Sequence, residues 1–265
     1  MTTAIRSEFL KFFTTRLWWG MAIGIFVAGG LFAGFFGWAL TSEASRKRPG
    51  APQGDATQIA NTVYTSGMGV GYLLLLTIGV LMIGAEYRHK TITSTFLATP
   101  KRLQAMLAKV VALLVIGALY GLISIVSSVG VGATVLKLAG HDPFPSSEVF
   151  RTMALSLLVL GLWGLIGLGV GILIKNQVAA LLIGIGVAWI VEPLAGLLLG
   201  FWDFGAEHIV KYLPSQATSA VVNSVTQGGQ QVARLEWWAG ALVLAAYAAV
   251  LAGFGIWRTL REDVS

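Results

Sequence analysis

Glu192 is the acidic residue that stands inside apolar sequence, in Trp189-Ile190-Val191-Glu192-Pro193. A carboxylate at the centre of a membrane helix costs roughly 2.5–3.5 kcal/mol on insertion scales, so such a group faces protein or water. Two roles fit it. It is a polar point in a path or at a subunit contact, beside a proline break that can hinge, or it is a carboxyl that is protonated or paired with a neighbouring helix. Other reactive groups are sparse. His89, His141 and His208 fall in separate loops without ligand spacing, and the chain has no cysteine, so no metal site is expected. Ser124, Ser127, Ser128 and Ser156 are scattered through apolar stretches, where hydroxyls bond their own backbone. No G-x-x-x-x-G-K phosphate loop, H-E-x-x-H helix or G-x-S-x-G elbow occurs. No catalytic residue, cofactor or metal is therefore expected on this chain.

The elements that must position these residues follow from composition. Of 265 residues, 56% are hydrophobic and 11% charged, against about 25% charged in a soluble domain. A water-soluble fold cannot hide so much apolar surface. The sequence holds 33 glycines and 9 tryptophans, which suit close helix approach and the membrane boundary. A membrane crossing needs about 20 apolar residues. Six stretches qualify, at 18–40, 63–85, 103–136, 149–174, 178–200 and 237–257. The expected fold is all-α: one polytopic transmembrane domain over 1–265. Lys109 interrupts the third stretch, whose start is expected to lie along the surface or project from it. The run at 18–40 is too long and bulky for a signal-peptide core and reads as a retained first span.

Basic residues favour one set of loops. That set holds Arg6, Lys11, Arg16, Arg88, Lys90, Lys101, Arg102, Lys109, Lys175, Arg258 and Arg261. The opposite set holds Arg46, Lys47, Arg48, Lys137, Arg151, Lys211 and Arg234. The positive-inside rule places both termini in the cytoplasm, with the net charge of +6 facing anionic lipid rather than nucleic acid.

Two cytoplasmic segments carry further information. In 1–17, Ile5, Phe9, Phe12 and Phe13 share one helical face, with Glu8, Lys11 and Thr15 opposite. Such a helix suits the membrane interface, apolar side down. In 86–102, Glu86 ends the second apolar run and Tyr87-Arg88-His89-Lys90 follows. Thr91 or Thr93 can cap a helix of about two turns. Ile92, Thr95, Phe96 and Thr99 recur at helical spacing, and Pro100 ends the helix before Lys101-Arg102. Ile92 and Phe96 on one side of this stub either fold back onto lipid or plug into a groove on a partner.

The segment formed by Glu86, Tyr87, Arg88, Thr91, Ile92, Leu97, Ala98, Thr99, Pro100 and Arg102 resembles the coupling region of type-2 ABC exporter permeases. That family often has glycine where this chain has Lys90. The resemblance implies a permease subunit of a bacterial plasma-membrane exporter, dimeric with an identical or paralogous chain. It implies a separate cytoplasmic ATPase pair that carries ATP and Mg and grips 86–102. It also implies an elbow helix at 1–17 and extracellular re-entrant helices in 201–236, around Leu213-Pro214-Ser215. From the residues alone, 201–236 should hold one or two short helices, with Ala217–Val222 apolar enough to enter the outer leaflet. The spaced glycines Gly117, Gly121, Gly161, Gly164, Gly167, Gly169 and Gly171 serve either subunit contacts or packing within the chain. A lipid-modifying membrane enzyme and a non-transporting scaffold are the rival classes.

Overall fold

The computed structural model describes residues 1–42, 54–98, 101–224 and 234–261, with Ala98 and Leu260 in backbone only. The expectations for Arg46, Lys47, Arg48, Thr99, Pro100 and 225–233 lie outside those residues. Every regular element among the described residues is a helix. The order is α1 (Thr2–Phe13), α2 (Leu17–Thr41), α3 (Ala56–Thr65), α4 (Met68–Arg88), α5 (Ile92–Ala98), α6 (Arg102–Leu138) and α7 (Glu148–Leu173). Then come α8 (Gln177–Gly186), a π turn (Val187–Val191), α9 (Glu192–Gly200), α10 (Asp203–His208), a 3₁₀ turn (Val210–Tyr212), α11 (Pro214–Val221) and α12 (Trp237–Arg261). Six stretches are long and apolar enough to cross a membrane: α2, α3 with α4, α6, α7, α8 with α9, and α12.

Local chemistry sets the ends. α1 stops where the Thr14 and Thr15 hydroxyls donate to the Leu10 and Phe12 carbonyls, both at 2.8 Å. α3 opens on a capping box between Asp55 and Gln58 and closes where Ser66 Oγ donates to the Val63 carbonyl at 2.8 Å. The second crossing therefore starts at Ala56, earlier than the apolar run alone implies, and carries a break at Ser66-Gly67. α8 opens on Asn176, whose Oδ1 accepts the Val178 and Ala179 N–H groups.

α6 bears on the expectation that the third stretch starts along the surface or projects from it, and favours projection. It runs unbroken through Lys109 for 37 residues. At 1.5 Å per residue that is about 55 Å, longer than a bilayer core of about 30 Å, so α6 reaches past the core. Lysine is compatible with a helix, and its charge can be buried here because it is met by acids from two other elements, described below.

α7 is the centre of the bundle and the most deeply buried of the six apolar crossings. It packs closely because it is rich in glycine. A β-carbon on Gly79 of α4 would strike the Gly164 carbonyl oxygen, and one on Gly167 would strike that of Leu76. A β-carbon on Gly117 of α6 would meet the Gly161 Cα at 2.6 Å. In lipid, where apolar surface has no drive to leave its solvent, such close backbone approach supplies the dispersion contacts that hold helices together. The glycine series on α7 thus packs within this chain. Outward, Leu31, Leu182 and Leu198 are each about two-thirds exposed, at 68%, 69% and 67%. An apolar surface of that kind suits lipid and not water.

The two chain ends share one end of the bundle. Arg102 Nη1, at the start of α6, donates to the Thr259 carbonyl of α12 at 3.5 Å. Lys109, two turns further, contacts Glu8 of α1. We call this the terminal end and the opposite one the far end.

Candidate functional site

At the terminal end, three elements bring four charges together. Lys109 of α6 is fully buried, and its Nζ lies 2.7 Å from Glu8 Oε2 of α1 and 2.7 Å from Glu86 Oε1 of α4. Lys11 of α1 sits at the rim, 2.7 Å from Glu8 Oε1 and 2.6 Å from Glu86 Oε1. Glu8 and Glu86 are 4% and 5% exposed. Two ammonium groups against two carboxylates make a neutral set, the condition under which ions tolerate low dielectric. Burial lowers the affinity of Lys11 for its proton, but the hydrogen bonds to Glu8 and Glu86 and their charges outweigh it and raise the group above its ordinary 10.5.

Sequence reasoning missed this network. It put Glu8 and Lys11 on the side of α1 opposite the apolar stripe and took Lys109 as an interruption. The available signal was Lys109 itself: a lysine inside an apolar run requires a partner. The expected stripe on α1 also divides. Phe12 is buried beside Glu8, edge-on to Tyr120 at 6.1 Å between centroids. Ile5 and Phe9 are half-buried and Phe13 is exposed. The stripe is thus split because α1 is held to α6 by Glu8 and Phe12, one turn apart on the same side.

α5 follows α4 through a turn in which Lys90 takes φ +54°. Left-handed backbone is costly for a residue with a β-carbon, and glycine adopts it freely. The Thr91 carbonyl accepts the Thr95 N–H at 3.0 Å and the hydroxyls of Ser94 and Thr95 at 2.8 and 3.1 Å, which fixes the first turn. Ile92 is 5% exposed, and Phe96 is half-buried with the Arg102 guanidinium 5.4 Å from its ring centre. Both residues pack onto the body of this chain. Tyr87 is half-buried against the same core, while Arg88 is exposed. Thr91 and Thr95 line a cavity of about 600 Å³ with Glu86, Lys11 and Gln177. Leu97 alone of the apolar α5 side chains described stands out, 77% exposed.

Glu192 lies at the far end, 5% exposed. Its Oε1 accepts the Ser215 N–H in a short hydrogen bond, at the first turn of α11. A carboxylate at a helix N-terminus meets an otherwise unpaired donor and the positive end of the helix dipole. Pro193 follows in the first turn of α9 and is exposed. A proline here removes one backbone donor and crowds the Trp189 carbonyl, and the π turn at Val187–Val191 absorbs that misfit while the helix continues. The Leu213-Pro214-Ser215 step starts α11, which buries Ala217, Thr218, Ala220 and Val221 against the bundle. The Thr218 hydroxyl accepts the Trp163 indole N–H at 3.0 Å, and Trp163 stacks on Tyr72 with centroids 4.4 Å apart.

The spaced serines do structural work. Ser128 and Ser156 donate to the Ile125 and Met153 carbonyls of their own helices, and Ser127 donates across to the Phe26 carbonyl. Among the described residues no three of His, Cys, Asp and Glu gather as a metal set. No family model matches the chain, and no curated protein matches it.

Proposed function

We propose that this chain is the membrane-spanning subunit of an ATP-driven exporter. Two such chains, identical or paralogous, form the path in a bacterial plasma membrane with both termini in the cytoplasm. A separate ATPase pair, holding ATP and Mg, docks at the terminal end. The observation that supports this most is Leu97. It is a bare apolar side chain, 77% exposed, on a helix that is itself tied down by Ile92 and Phe96. An anchored helix that offers one leucine is built to be gripped, and a partner's groove is the fitting occupant. The likeness of 86–102 to exporter coupling segments names that partner.

In this reading, closure of the ATPase pair on ATP pushes α5. The push passes to α4 through the three-residue turn and to α6 through Phe96 and Arg102. The ion network carries it on to α1, the interfacial elbow, so the terminal end moves as one body. α10 and α11 then form the extracellular re-entrant pair before the last span, and outward direction follows from the resemblance.

Leu97 is the residue to test, because a substitution at Phe96 would also damage this chain's own packing. In Leu97→Asp, the melting temperature of the isolated chain should stay unchanged. Co-purification of the ATPase should fall by about 30-fold or more in affinity, the scale of a 2 kcal/mol hot spot, and transport should fail with it. A Leu97→Asp chain that keeps its ATPase and full transport would refute the docking role.

A further inference from the structure

The cavity of about 600 Å³ at the terminal end has an apolar wall from α1 and α4: Phe12, Ile78, Leu81, Met82 and Ala85. Its other wall carries the ion network, α5 and Gln177 at the start of α8. Most polar groups of that wall are served within the chain. Glu8 gives one oxygen to each lysine. The Thr15 hydroxyl donates to the Phe12 carbonyl, and those of Ser94 and Thr95 donate to the Thr91 carbonyl. Glu86 is served by halves. Its Oε1 accepts from both lysines, while the buried Oε2 has no partner. Gln177 Oε1 is also buried without a partner. A β-carbon on Gly84 would meet Gln177 Cγ at 3.0 Å, so the Gln177 side chain rests on α4 two residues before Glu86.

Donors are left over too, but at the rim. Lys11 keeps a third N–H on a side chain 42% exposed, and the Thr91 hydroxyl and His89 ring stand on exposed residues, so water serves all three. The starts of α2 and α5, at Leu17 and Ser94, are exposed as well, and Asn176 caps that of α8. What the enclosed part lacks is donors. One water fills roughly 30 Å³ of liquid, far less than this cavity, and the apolar wall offers further waters no partner. A cation would add charge to a set in which two ammonium groups already balance two carboxylates, and an anion would face a carboxylate oxygen. An uncharged donor does neither. We infer that this cavity binds an uncharged amphiphile whose head brings two hydrogen-bond donors, as a diol or a primary amide does, to Glu86 Oε2 and Gln177 Oε1. Its apolar chain lies against Ile78, Leu81 and Met82. Leu17, the first residue of the first crossing, lines the same cavity and is 41% exposed, so the mouth meets the membrane boundary. The site does not depend on the exporter reading, since it is defined on this chain alone.

The test is photo-crosslinking of the full chain in choline-lipid nanodiscs with a monodecanoylglycerol that carries a diazirine in its acyl chain, the labelled residues read by mass spectrometry. Saturable labelling of α4 within 78–85 is expected. Unlabelled monodecanoylglycerol and decanamide should compete, with methyl decanoate, decylammonium and decanoate each at least about tenfold weaker. Gln177→Leu removes one acceptor outside the ion network and should weaken monodecanoylglycerol about tenfold while leaving methyl decanoate unchanged. Ala85→Phe fills the cavity and should abolish the labelling. Labelling that survives Ala85→Phe would overturn the proposal, since the probe would then sit in bulk lipid. Competition by methyl decanoate, decylammonium or decanoate as strong as that of monodecanoylglycerol would overturn it as well. So would the lack of saturable labelling, which would mean that water or the turned amide of Gln177 serves Glu86. Should Ala85→Phe misfold, the order of competitors on the unaltered chain still decides. Water-soluble hexanamide separates the sources: competition equal to that of decanamide marks a soluble ligand, and weaker competition marks a membrane lipid.

Discussion

The two ends of the bundle each bury acid, and they satisfy it differently. At the terminal end Glu8 and Glu86 meet two lysines, one of them fully buried, and the four groups join α1, α4 and α6. At the far end Glu192 meets a backbone N–H at the start of α11, with a helix dipole in place of a cation. An ion network fails as a unit when one member is removed, because the survivors are left buried and unpaired. A carboxylate on a helix terminus can be neutralised with its hydrogen bond kept. The first suits a rigid joint; the second suits a place whose charge is open to change.

The largest effect expected from this contrast is at Lys109. Lys109→Met leaves Glu8 and Glu86 sharing Lys11 alone, one buried positive charge short, and should cost about 3–5 kcal/mol, read as a large fall in melting temperature in detergent. Adding Glu8→Gln and Glu86→Gln should recover most of it. A small loss in Lys109→Met alone would mean that the network is not the joint described.

At the far end, Glu192→Leu leaves the Ser215 N–H unpaired and should cost about 1–3 kcal/mol. Glu192→Gln keeps an acceptor and should cost less than half as much. If Gln and Leu are equally damaging, charge rather than the hydrogen bond holds α11.

A smaller effect separates anchored from strained parts of the terminal end. Lys90→Gly relieves a left-handed residue and should gain about 0.5 kcal/mol, the relief net of the entropy glycine loses on folding. A loss on that substitution would show that the Lys90 side chain matters more than its backbone.

The smallest is the pH response of the rim. Lys11 holds its proton more tightly in the folded chain than at its ordinary 10.5. Its stabilising share is therefore full below about 10.5 and fades as pH climbs through the higher folded value. The melting-temperature gap between the unaltered chain and Lys11→Met should be constant from neutral pH to about 10 and narrow above it. A gap that widens with pH would reverse the sign.

The six crossings and the short helix after α4 were legible, because apolar length and helical spacing are local properties. So was the need of Glu192 for a partner, since a carboxylate in an apolar run stands out one residue at a time. The partners of Glu86 were not legible, because Glu8, Glu86 and Lys109 are far apart in the chain and each has a dull local explanation. Ile92 and Phe96 were read correctly as one face of α5. Whether that face meets lipid, a partner or the chain's own core depends on where α4 and α6 converge.

By itself, then, the sequence determined that this is a helical membrane protein with six apolar crossings and a short helical stub within 86–102. Backbone hydrogen bonds inside each helix and the cost of leaving them unmade in lipid leave few other solutions. Only the tertiary structure decided which charges pair, that Leu97 rather than Phe96 is presented, and that Glu86 and Gln177 line one cavity. Those outcomes depend on contacts between residues remote in the chain, set by how glycine-rich faces let the helices approach, and no local pattern encodes that approach.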